Sequence, residues 1–359
     1  MRILQISSAR HFGGGERHLV DLTNGLIKGG HDVFAAVVPE SPILTEFRQM
    51  RAERLFALSA SNPLNIAKAF ALRRFVRARG IEIVHAHMAR DYPAAALAVG
   101  RDGGSRLIIT RHVLFPMNKL HRITRGRVAR VIAVSQSVAA TLRAQNIFRD
   151  DQISVVLNGI DLARLSSPID RALRSRFRVG ILGELTSNKG QVEFVRAAEI
   201  VARQIDNVEF VIAGKDNSSD GEYGRLVKNT IAVSEFRDRI QLIESKLDVS
   251  QFLPTLDLLV STSRSEAFGL SIVEGMARGV PVVTTATEGA REIITDRETG
   301  RLVAIGDVNE MAATVTDLLR NSDERQRLSD NGRQRANQRF TLERMISQTT
   351  EVYHEALRR

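Results

Sequence analysis

Short apolar runs that alternate with helix-length amphipathic stretches constrain this chain more than any other feature of it. The first forty residues run from an apolar segment (3–6) through three glycines (13–15) and an amphipathic segment (18–27) to a second apolar segment (33–38). Further apolar runs follow at 83–84, 107–109, 131–134 and 153–157. This alternation is typical of a parallel sheet covered by helices on both faces. The first part of the chain is therefore predicted to be a doubly wound α/β domain.

The pattern lapses between residues 158 and 178, where Gly, Pro, Ser and Arg dominate, and it begins again at residue 179. The second part is predicted to hold strands at 179–182, 208–213, 239–243, 258–261 and 280–284, and helices at 192–202, 308–320 and 323–339. We predict two doubly wound Rossmann-like domains, 1–170 and 171–340, facing each other across a cleft that binds the ligand. From its pattern alone, the last helix (342–357) could belong to either domain.

Composition excludes several kinds of site and protein. The 359 residues include no Cys, so a disulfide framework, a thiolate zinc site and a cysteine nucleophile are all excluded. Uncharged stretches such as 55–67 and 131–142 are shorter than the roughly 20 residues of a membrane-spanning helix. The first residues lack the apolar core of a signal peptide. We therefore expect a soluble, cytoplasmic protein.

The net charge of +10 is divided unevenly along the chain. Residues 1–179 contain 28 Lys and Arg against 13 Asp and Glu, whereas residues 180–359 contain 23 against 28. Such asymmetry indicates an anionic partner. The basic stretch 68–79 has apolar residues at helical spacing, which fits either a helix packed on the sheet or one that dips into an anionic membrane surface. A second basic stretch spans 119–130. Few aromatics and no reader motif accompany them, so we expect no nucleic-acid partner.

The strongest local motif is the strand, loop, helix and strand encoded by residues 258–284. Glu266 is predicted on the loop and Glu274 in the first turns of the helix, near the free amides that begin it. Carboxylates accept hydrogen bonds from sugar hydroxyls, and a helix start favours phosphate. The motif therefore predicts a polyhydroxylated ligand with a phosphate. Alternatively, Ser271 and Glu274 fit a capping box, in which Glu274 would only cap the helix.

Two further strand-to-helix loops are candidates for phosphate contacts. Gly13 and Gly14 follow the first predicted strand, where glycine lets the backbone approach phosphate oxygens, although a tight turn explains them equally well. Lys189 follows the first strand of the second domain and could meet a diphosphate as a point charge, or be an ordinary exposed lysine.

Histidines near strand ends are candidates for catalysis or metal binding. We expect His85 and His87 to point to opposite faces of a strand, which makes a shared metal ion improbable. His112 follows the run 107–110 and is expected to face the cleft, either as a structural residue or at the reacting centre. No D-x-D motif occurs, so diphosphate charge is expected to meet cationic side chains and helix ends. No metal ion or other cofactor is expected.

Together these segments resemble the retaining GT-B glycosyltransferases, in the large family that includes sucrose synthases, bacterial mannosyltransferases and lipopolysaccharide core transferases. The resemblance spans nearly the whole chain, and its most specific part is the pair of acids Glu266 and Glu274 within S-R-S-E-A-F-G-L. The other matching segments are 12–17, His112, 133–135, 158–161, 189–190, 289–292 and 299–303.

The resemblance implies a role for each matching residue. Glu274 would bind the ribose hydroxyls of the donor, and Glu266 the transferred sugar. The other implied donor contacts are the amides around Phe268, Gly269 and Leu270, and Lys189, Gly13 and Gly14 at the diphosphate. His112 would lie beside the reacting sugar. The C-terminal helix (341–359) would cross back to the first domain.

The implied reaction moves a sugar from a nucleotide diphosphate to an acceptor hydroxyl of a glycolipid or polysaccharide, with retention at the anomeric carbon. The implied setting is cell-envelope glycan biosynthesis at the inner face of the cytoplasmic membrane. Glu184 departs from the family, which usually has Arg there; Arg111 or Arg264 could substitute, or Glu184 could be turned away. Thr262 replaces a usual Pro. The alternatives are an inactive nucleotide-sugar-binding protein and a GT-B sugar-nucleotide epimerase.

Overall fold

The computed structural model describes residues 1–47, 50–58, 66–100, 104–166, 175–244 and 248–358. These form two compact units, one of Met1–Gly159 with Leu342–Arg359 and the other of Ile160–Thr341. Each unit contains a parallel sheet covered by helices. The predicted fold class, two doubly wound α/β domains, is confirmed.

The strands of the first unit are β1 (Arg2–Ser7), β2 (Asp32–Val37), β3 (Leu55–Ala57), β4 (Ile83–Ala86), β5 (Arg106–Arg111), β6 (Val128–Ala133) and β7 (Ile153–Val155). Those of the second unit are β8 (Phe177–Leu182), β9 (Val208–Ala213), β10 (Ile240–Ile243), β11 (Leu258–Ser261), β12 (Val282–Thr285) and β13 (Arg301–Val303).

The helices are α1 (Gly14–Lys28), α2 (Ile66–Ala78), α3 (Tyr92–Val99), α4 (Gln136–Ala144), α5 (Gln191–Ala202), α6 (Glu222–Val233), α7 (Val249–Phe252), α8 (Leu270–Ala277), α9 (Glu288–Ile293), α10 (Val308–Arg320), α11 (Ser322–Arg339) and α12 (Leu342–Arg358). Within the described ranges, no helix combines the length and the apolar character needed to cross a membrane.

Strand order places a reversal of the winding direction in each sheet. The first sheet has the order β3-β2-β1-β4-β5-β6-β7 and the second β10-β9-β8-β11-β12-β13. The direction reverses between β1 and β4 in one unit and between β8 and β11 in the other. Ligands of open α/β sheets bind beyond the carboxyl ends of the strands at such a point. The loops after β1 and β4, and after β8 and β11, are therefore the first places to look for a site.

The division between the units falls after Gly159, earlier than the predicted boundary at residue 170. The backbone N–H of Ile160 donates to the carbonyl of Phe340 at 2.9 Å, and Ile160 also forms a β-bridge with Thr341. These contacts assign the segment from 160 onwards to the second unit. Within the predicted linker (158–178), residues 167–174 lie outside the described residues, and 177–178 already belong to β8.

Helix α12 packs in the first unit, as the family resemblance implied. Its side chains Met345, Val352 and Tyr353 are buried with residues of β1, β4 and β5 such as Ile83 and Ile108. The apolar stripe of α12 thus completes one face of the first sheet.

The apolar residues of α2 belong to the first unit's core. Ala69, Leu72 and Val76 are buried, and Phe75 packs against Phe34 with ring centroids 5.9 Å apart. Most apolar side chains of the basic stretch 68–79 therefore pack on the sheet, as in an ordinary amphipathic helix, whereas Phe70 is 60% exposed. The side chain of Lys68 lies outside the described residues.

We predict that Tyr353→Phe destabilises the first unit by about 1–3 kcal/mol, because it leaves buried polar atoms without a partner. The Tyr353 hydroxyl lies 2.7 Å from His85 Nδ1 and accepts from Gln5 Nε2 at 3.3 Å. Denaturant unfolding would measure the change, with His354→Ala, at the exposed neighbouring position, as the control. An unfolding midpoint equal to that of the native protein would contradict this role.

Candidate functional site

The loop between β11 and α8 brings free backbone amides to the carboxyl end of the second sheet. Gly269 caps α8 in the left-handed region (φ +115°), which favours glycine. The first hydrogen bond of the helix runs from Ile272 N–H to the Gly269 carbonyl at 3.1 Å. The amides of Phe268, Gly269 and Leu270 precede it, so they have no acceptor within the helix. The Phe268 ring itself is buried against Phe340, so it anchors the loop.

Glu274 lies in α8 with only 7% of its surface exposed. Its Oε1 accepts a hydrogen bond from Arg164 Nη2 at 2.7 Å. The capping-box alternative is wrong, because the cap is Gly269 and no side chain caps this helix. A buried carboxylate needs a partner, and Arg164 supplies it. Nothing in the sequence pattern marks Arg164 as part of the site.

Glu266 and Lys189, which are 77 positions apart in sequence, form an ion pair. Lys189 Nζ lies 2.6 Å from Glu266 Oε2, and the Ser263 hydroxyl donates to the same oxygen at 3.3 Å. Both charged side chains are mostly buried, since 27% of the Lys189 side chain and 16% of the Glu266 side chain are exposed. Lys189 is therefore not an ordinary exposed lysine.

The loops after β8 and β11 are bound to each other through Thr262. Its hydroxyl donates toward the carbonyl oxygens of Lys189 (2.9 Å) and Gly190 (2.7 Å). Gly190 has a left-handed backbone (φ +71°), and a Cβ there would lie 2.5 Å from the Thr262 carbonyl oxygen. Thr262, which departs from the family pattern, thus fixes the backbone that carries Lys189.

Glu184 is exposed, and its carboxylate has no ion-pair or hydrogen-bond partner among the described residues. Its carbonyl accepts from Gln191 Nε2 at 2.9 Å. Of the two predicted substitute cations, Arg264 is paired with Glu193, and Arg111 donates to the Phe115 carbonyl in the first unit. The cations that do lie beside the acids are Lys189, at Glu266, and Arg164, at Glu274.

A third segment, the start of α9, holds the loop of Glu266 from the other side. Gly289 N–H donates to the Glu266 carbonyl at 3.0 Å. A Cβ at Gly289 would lie 2.4 Å from the Phe268 carbonyl oxygen and 2.6 Å from that of Glu266. Only a glycine permits this close approach, which explains why the segment 289–292 belongs to the motif set.

In the first unit, Gly13 and Gly14 form the start of α1. Gly13 is the extended N-cap residue, and its N–H donates to Glu16 Oε2 at 2.9 Å. None of the glycines 13–15 has a positive φ, so glycine is not required here for a left-handed backbone. A Cβ at Gly15 would lie 3.6 Å from His112 Cγ, so the helix start lies against that ring.

His112 is half-buried and lies in a group with two buried histidines. Ring nitrogens of His18, His87 and His112 all lie within 4.8 Å of one another. Burial lowers the pKa of His18 to about 4 and those of His87 and His112 well below the usual range, and the neighbouring histidines add to the effect at the last two. These rings are therefore neutral at pH 7.

The expectation that His85 and His87 point to opposite faces is wrong. Residues two apart lie on the same face of a strand, and the two ring centroids are 4.2 Å apart. His85 is nevertheless engaged at both ring nitrogens, with the Tyr353 hydroxyl at 2.7 Å and the Thr110 hydroxyl at 2.6 Å.

A cavity of about 460 Å³ lies at the amino ends of the strands of the second sheet, opposite the loops described above. Phe177, Asp257 and Pro281 line it, and each stands at or just before the amino end of a strand. Ligands of open α/β sheets bind at the carboxyl ends, so this cavity is not the candidate site.

Comparison with known proteins assigns the chain to a family. Residues 171–335 match the family model described as glycosyl transferases group 1, and residues 12–164 match that of glycosyltransferase family 4. The chain belongs to the GT-B glycosyltransferase family.

Among the curated relatives of this family member, the capsular polysaccharide biosynthesis glycosyltransferase CapM of Staphylococcus aureus is 26% identical over 64% of this chain and 62% of its own length. The lipopolysaccharide core biosynthesis mannosyltransferase LpsB of Rhizobium meliloti is 29% identical over 65% and 67%. The match thus spans less than two thirds of CapM.

Solved structures share the GT-B fold of this chain. A glycosyltransferase from Rickettsia africae has a TM-score of 0.84 and 21% identity, over 99% of this chain and 98% of that one. The Anabaena protein Alr3699/HepE, crystallised in complex with UDP-glucose, has a TM-score of 0.85 and 21% identity, over 98% of both chains. At this identity the likeness establishes the fold.

We predict that Gly289→Ala displaces the loop of Glu266 and destabilises the second unit by about 1–3 kcal/mol, the usual effect of overpacking. Thermal or denaturant unfolding would measure it. Gly126→Ala is the matched control, because nothing lies within 4 Å of the added Cβ there. If Gly289→Ala unfolded like Gly126→Ala, the close approach of α9 to the loop would be refuted.

Proposed function

We propose that this protein is a retaining glycosyltransferase, independent of metal ions and other cofactors. It moves a sugar from a nucleotide-diphosphate donor to a hydroxyl of a glycolipid or polysaccharide acceptor in cell-envelope glycan biosynthesis. The observation that carries the proposal is one cluster at the carboxyl edge of the second sheet. There the ion pairs Lys189–Glu266 and Arg164–Glu274 lie beside the free amides of a helix start.

Each part of this cluster suits one part of a nucleotide sugar. Glu274 accepts hydrogen bonds from the ribose hydroxyls, and Glu266 from hydroxyls of the transferred sugar. The diphosphate meets Lys189 and the amides of Phe268, Gly269 and Leu270, where the helix dipole favours negative charge. Since both acids are ion-paired, donor binding replaces or shares the hydrogen bonds that Arg164 and Lys189 now make.

The proposed reaction needs no enzyme nucleophile. The acceptor oxygen bonds to the anomeric carbon on the face that the diphosphate leaves, and the carbon–oxygen bond to the diphosphate breaks with its electron pair. A phosphate oxygen of the leaving group takes the acceptor's proton. Charge that develops on the diphosphate is stabilised by Lys189 and the pre-aimed amides, which cost no reorganisation during the reaction.

The first unit contributes residues that remain proposals on the strength of the family resemblance. His112 supports the transferred sugar as a neutral ring, which donates or accepts a hydrogen bond without adding charge. Gly13 and Gly14 approach the diphosphate through their amides. Because Glu16 now accepts from Gly13 N–H, that carboxylate must give way before Gly13 binds phosphate, whereas Gly14 has no such competitor among the described residues.

The acceptor side is proposed to lie at an anionic membrane surface inside the cell. The segment between β5 and β6 exposes Phe115 (74%) and Ile123 (82%), with Arg122 and Arg125 also exposed. Apolar side chains among cations suit the interface of a membrane that contains anionic lipids. CapM and LpsB, by their names, act in capsular polysaccharide and lipopolysaccharide core biosynthesis, which supports this setting.

The test is release of nucleotide from UDP-, GDP- and ADP-sugars, with and without candidate lipid-linked or polysaccharide acceptors. Release that depends on an acceptor, with the donor's anomeric configuration kept in the product by NMR, is the expected result. Donor binding without turnover would favour an inactive binding protein, and conversion of the donor sugar without an acceptor would favour an epimerase. An inverted product would overturn retention.

For this activity we predict that Glu274→Gln lowers kcat/KM for the donor by about 100-fold or more. Two charge-assisted hydrogen bonds to ribose, each contributing about 1.5–3 kcal/mol, would be weakened. Glu235→Gln is the matched control, since it removes an exposed carboxylate paired with Arg203 in the same unit. Near-native kinetics of a folded Glu274→Gln protein would refute the role of Glu274.

Membrane contact has its own test, flotation with vesicles. The native protein should bind vesicles that contain phosphatidylglycerol, be released by salt, and ignore purely zwitterionic vesicles. The double variant Phe115→Asp, Ile123→Asp should lose binding. Val233→Asp, at an apolar position 85% exposed in the second unit, should bind like the native protein. Equal binding by all three proteins would exclude this segment as the membrane contact.

A further inference from the structure

The three clustered histidines of the first unit, two of them buried and His112 half-buried, come from three separate elements. His18 lies in α1, His87 directly follows β4, and His112 directly follows β5. Parallel strands bring the residues after their carboxyl ends together, and α1 lies over the same edge. One ring nitrogen from each lies within 4.8 Å of one from each of the others.

His18 is buried, and its hydrogen-bonding neighbour, Asn158, does not meet either ring nitrogen at good hydrogen-bond geometry. The surface of His18 is only 2% exposed, and neither Nδ1 nor Nε2 meets a donor or acceptor at hydrogen-bond geometry. The Asn158 side chain, whose Oδ1 likewise has no partner at hydrogen-bond geometry, lies near enough to His18 to raise the pKa of that ring, against the larger lowering by burial. Buried polar atoms normally have partners, and an exception indicates a bound water or ion.

The neighbouring residues fix the tautomer of His87, and so which ring nitrogen carries a lone pair. Gln5 Nε2 donates to the Tyr353 hydroxyl at 3.3 Å, so its Oε1 accepts from His87 Nε2 at 2.8 Å. His87 Nδ1 therefore carries a lone pair, directed towards His112 Nε2 at 3.4 Å. Orientation of a ligand histidine by a hydrogen bond at its other nitrogen is the usual arrangement around bound metal ions.

The spacing and the donor set both suit a transition metal. With metal–nitrogen bonds of about 2.0–2.1 Å, two ligands of a tetrahedral site lie about 3.4 Å apart, which equals the distance from His87 Nδ1 to His112 Nε2. Neutral imidazoles select Zn²⁺, Co²⁺, Ni²⁺ or Cu²⁺, whereas Mg²⁺ and Ca²⁺ need oxygen ligands.

We propose that His18, His87 and His112 bind one transition-metal ion such as Zn²⁺ or Co²⁺, each through one ring nitrogen. The fourth position is left to water or another oxygen ligand. His85 is not a ligand, because both its nitrogens are hydrogen-bonded to hydroxyls.

This site is independent of the proposed transfer reaction, which uses no metal ion. The metal site and the proposed sugar contact share only His112. If the proposed function holds, a bound metal ion and the transferred sugar would compete for that ring. Metal binding is measured without donor or acceptor, so its failure would leave the proposed activity standing, and failure of the activity would leave the metal site standing.

The test is titration of the chelator-treated full chain with Co²⁺, followed by visible absorption. We expect one equivalent to bind per chain with the intense d–d bands of a four-coordinate site. His18→Gln and, as a second variant, His112→Gln should lose these bands while their circular dichroism stays native. His354→Gln, at an exposed position, should keep them.

Two results would overturn the proposal. The first is a native protein that shows no such bands, which decides the matter whatever the variants do. The second is a folded His18→Gln or His112→Gln protein with native bands, since the metal ion would then be bound elsewhere, by histidines at the surface.

Discussion

The second unit depends on keeping two mostly buried carboxylates compensated. Glu266 and Glu274 stand on one short loop and the helix that follows it, and each would be costly to bury alone. Each forms an ion pair with a cation from elsewhere in that unit. Lys189 lies on the loop after β8, and Arg164 lies on the segment between β7 and β8. Thr262, Gly190 and Gly289 serve this arrangement, because they fix the loops on either side. The paired charges that stabilise these carboxylates are also the groups that a sugar and a diphosphate can bind.

In the first unit the clustered polar side chains are neutral, whereas those of the second unit are ion-paired. Its histidines His18, His87 and His112 are kept uncharged by burial, and no carboxylate belongs to the group. A neutral group of this kind can contact an uncharged sugar or hold a metal ion, but it offers little to a diphosphate. Phosphate binding in this unit would therefore fall to the start of α1, where Glu16 already bonds to Gly13.

Sequence pattern predicted most of the fold, because apolar runs report burial directly. Most longer strands and helices were predicted, whereas β3 and β13, with three residues each, were not. The equally short β7 was predicted because its apolar run extends over 153–157. For the site, a dense motif predicted the loop of Glu266 and the helix of Glu274. Arg164 and the group of His18 with His112 could not be predicted, since their contacts join distant segments. The error about His85 and His87 was one of strand geometry, and Glu184 proved to be an exposed side chain.

The central claim is that the acid pair of the second unit binds a nucleotide sugar. The most direct measurement is a crystal structure of the protein with the nucleotide sugar that it turns over. We expect the ribose hydroxyls within hydrogen-bond distance of the Glu274 carboxylate and the diphosphate at Lys189 and the amides of Phe268 to Leu270. A donor bound elsewhere, with Glu274 still bonded to Arg164 alone, would contradict the account.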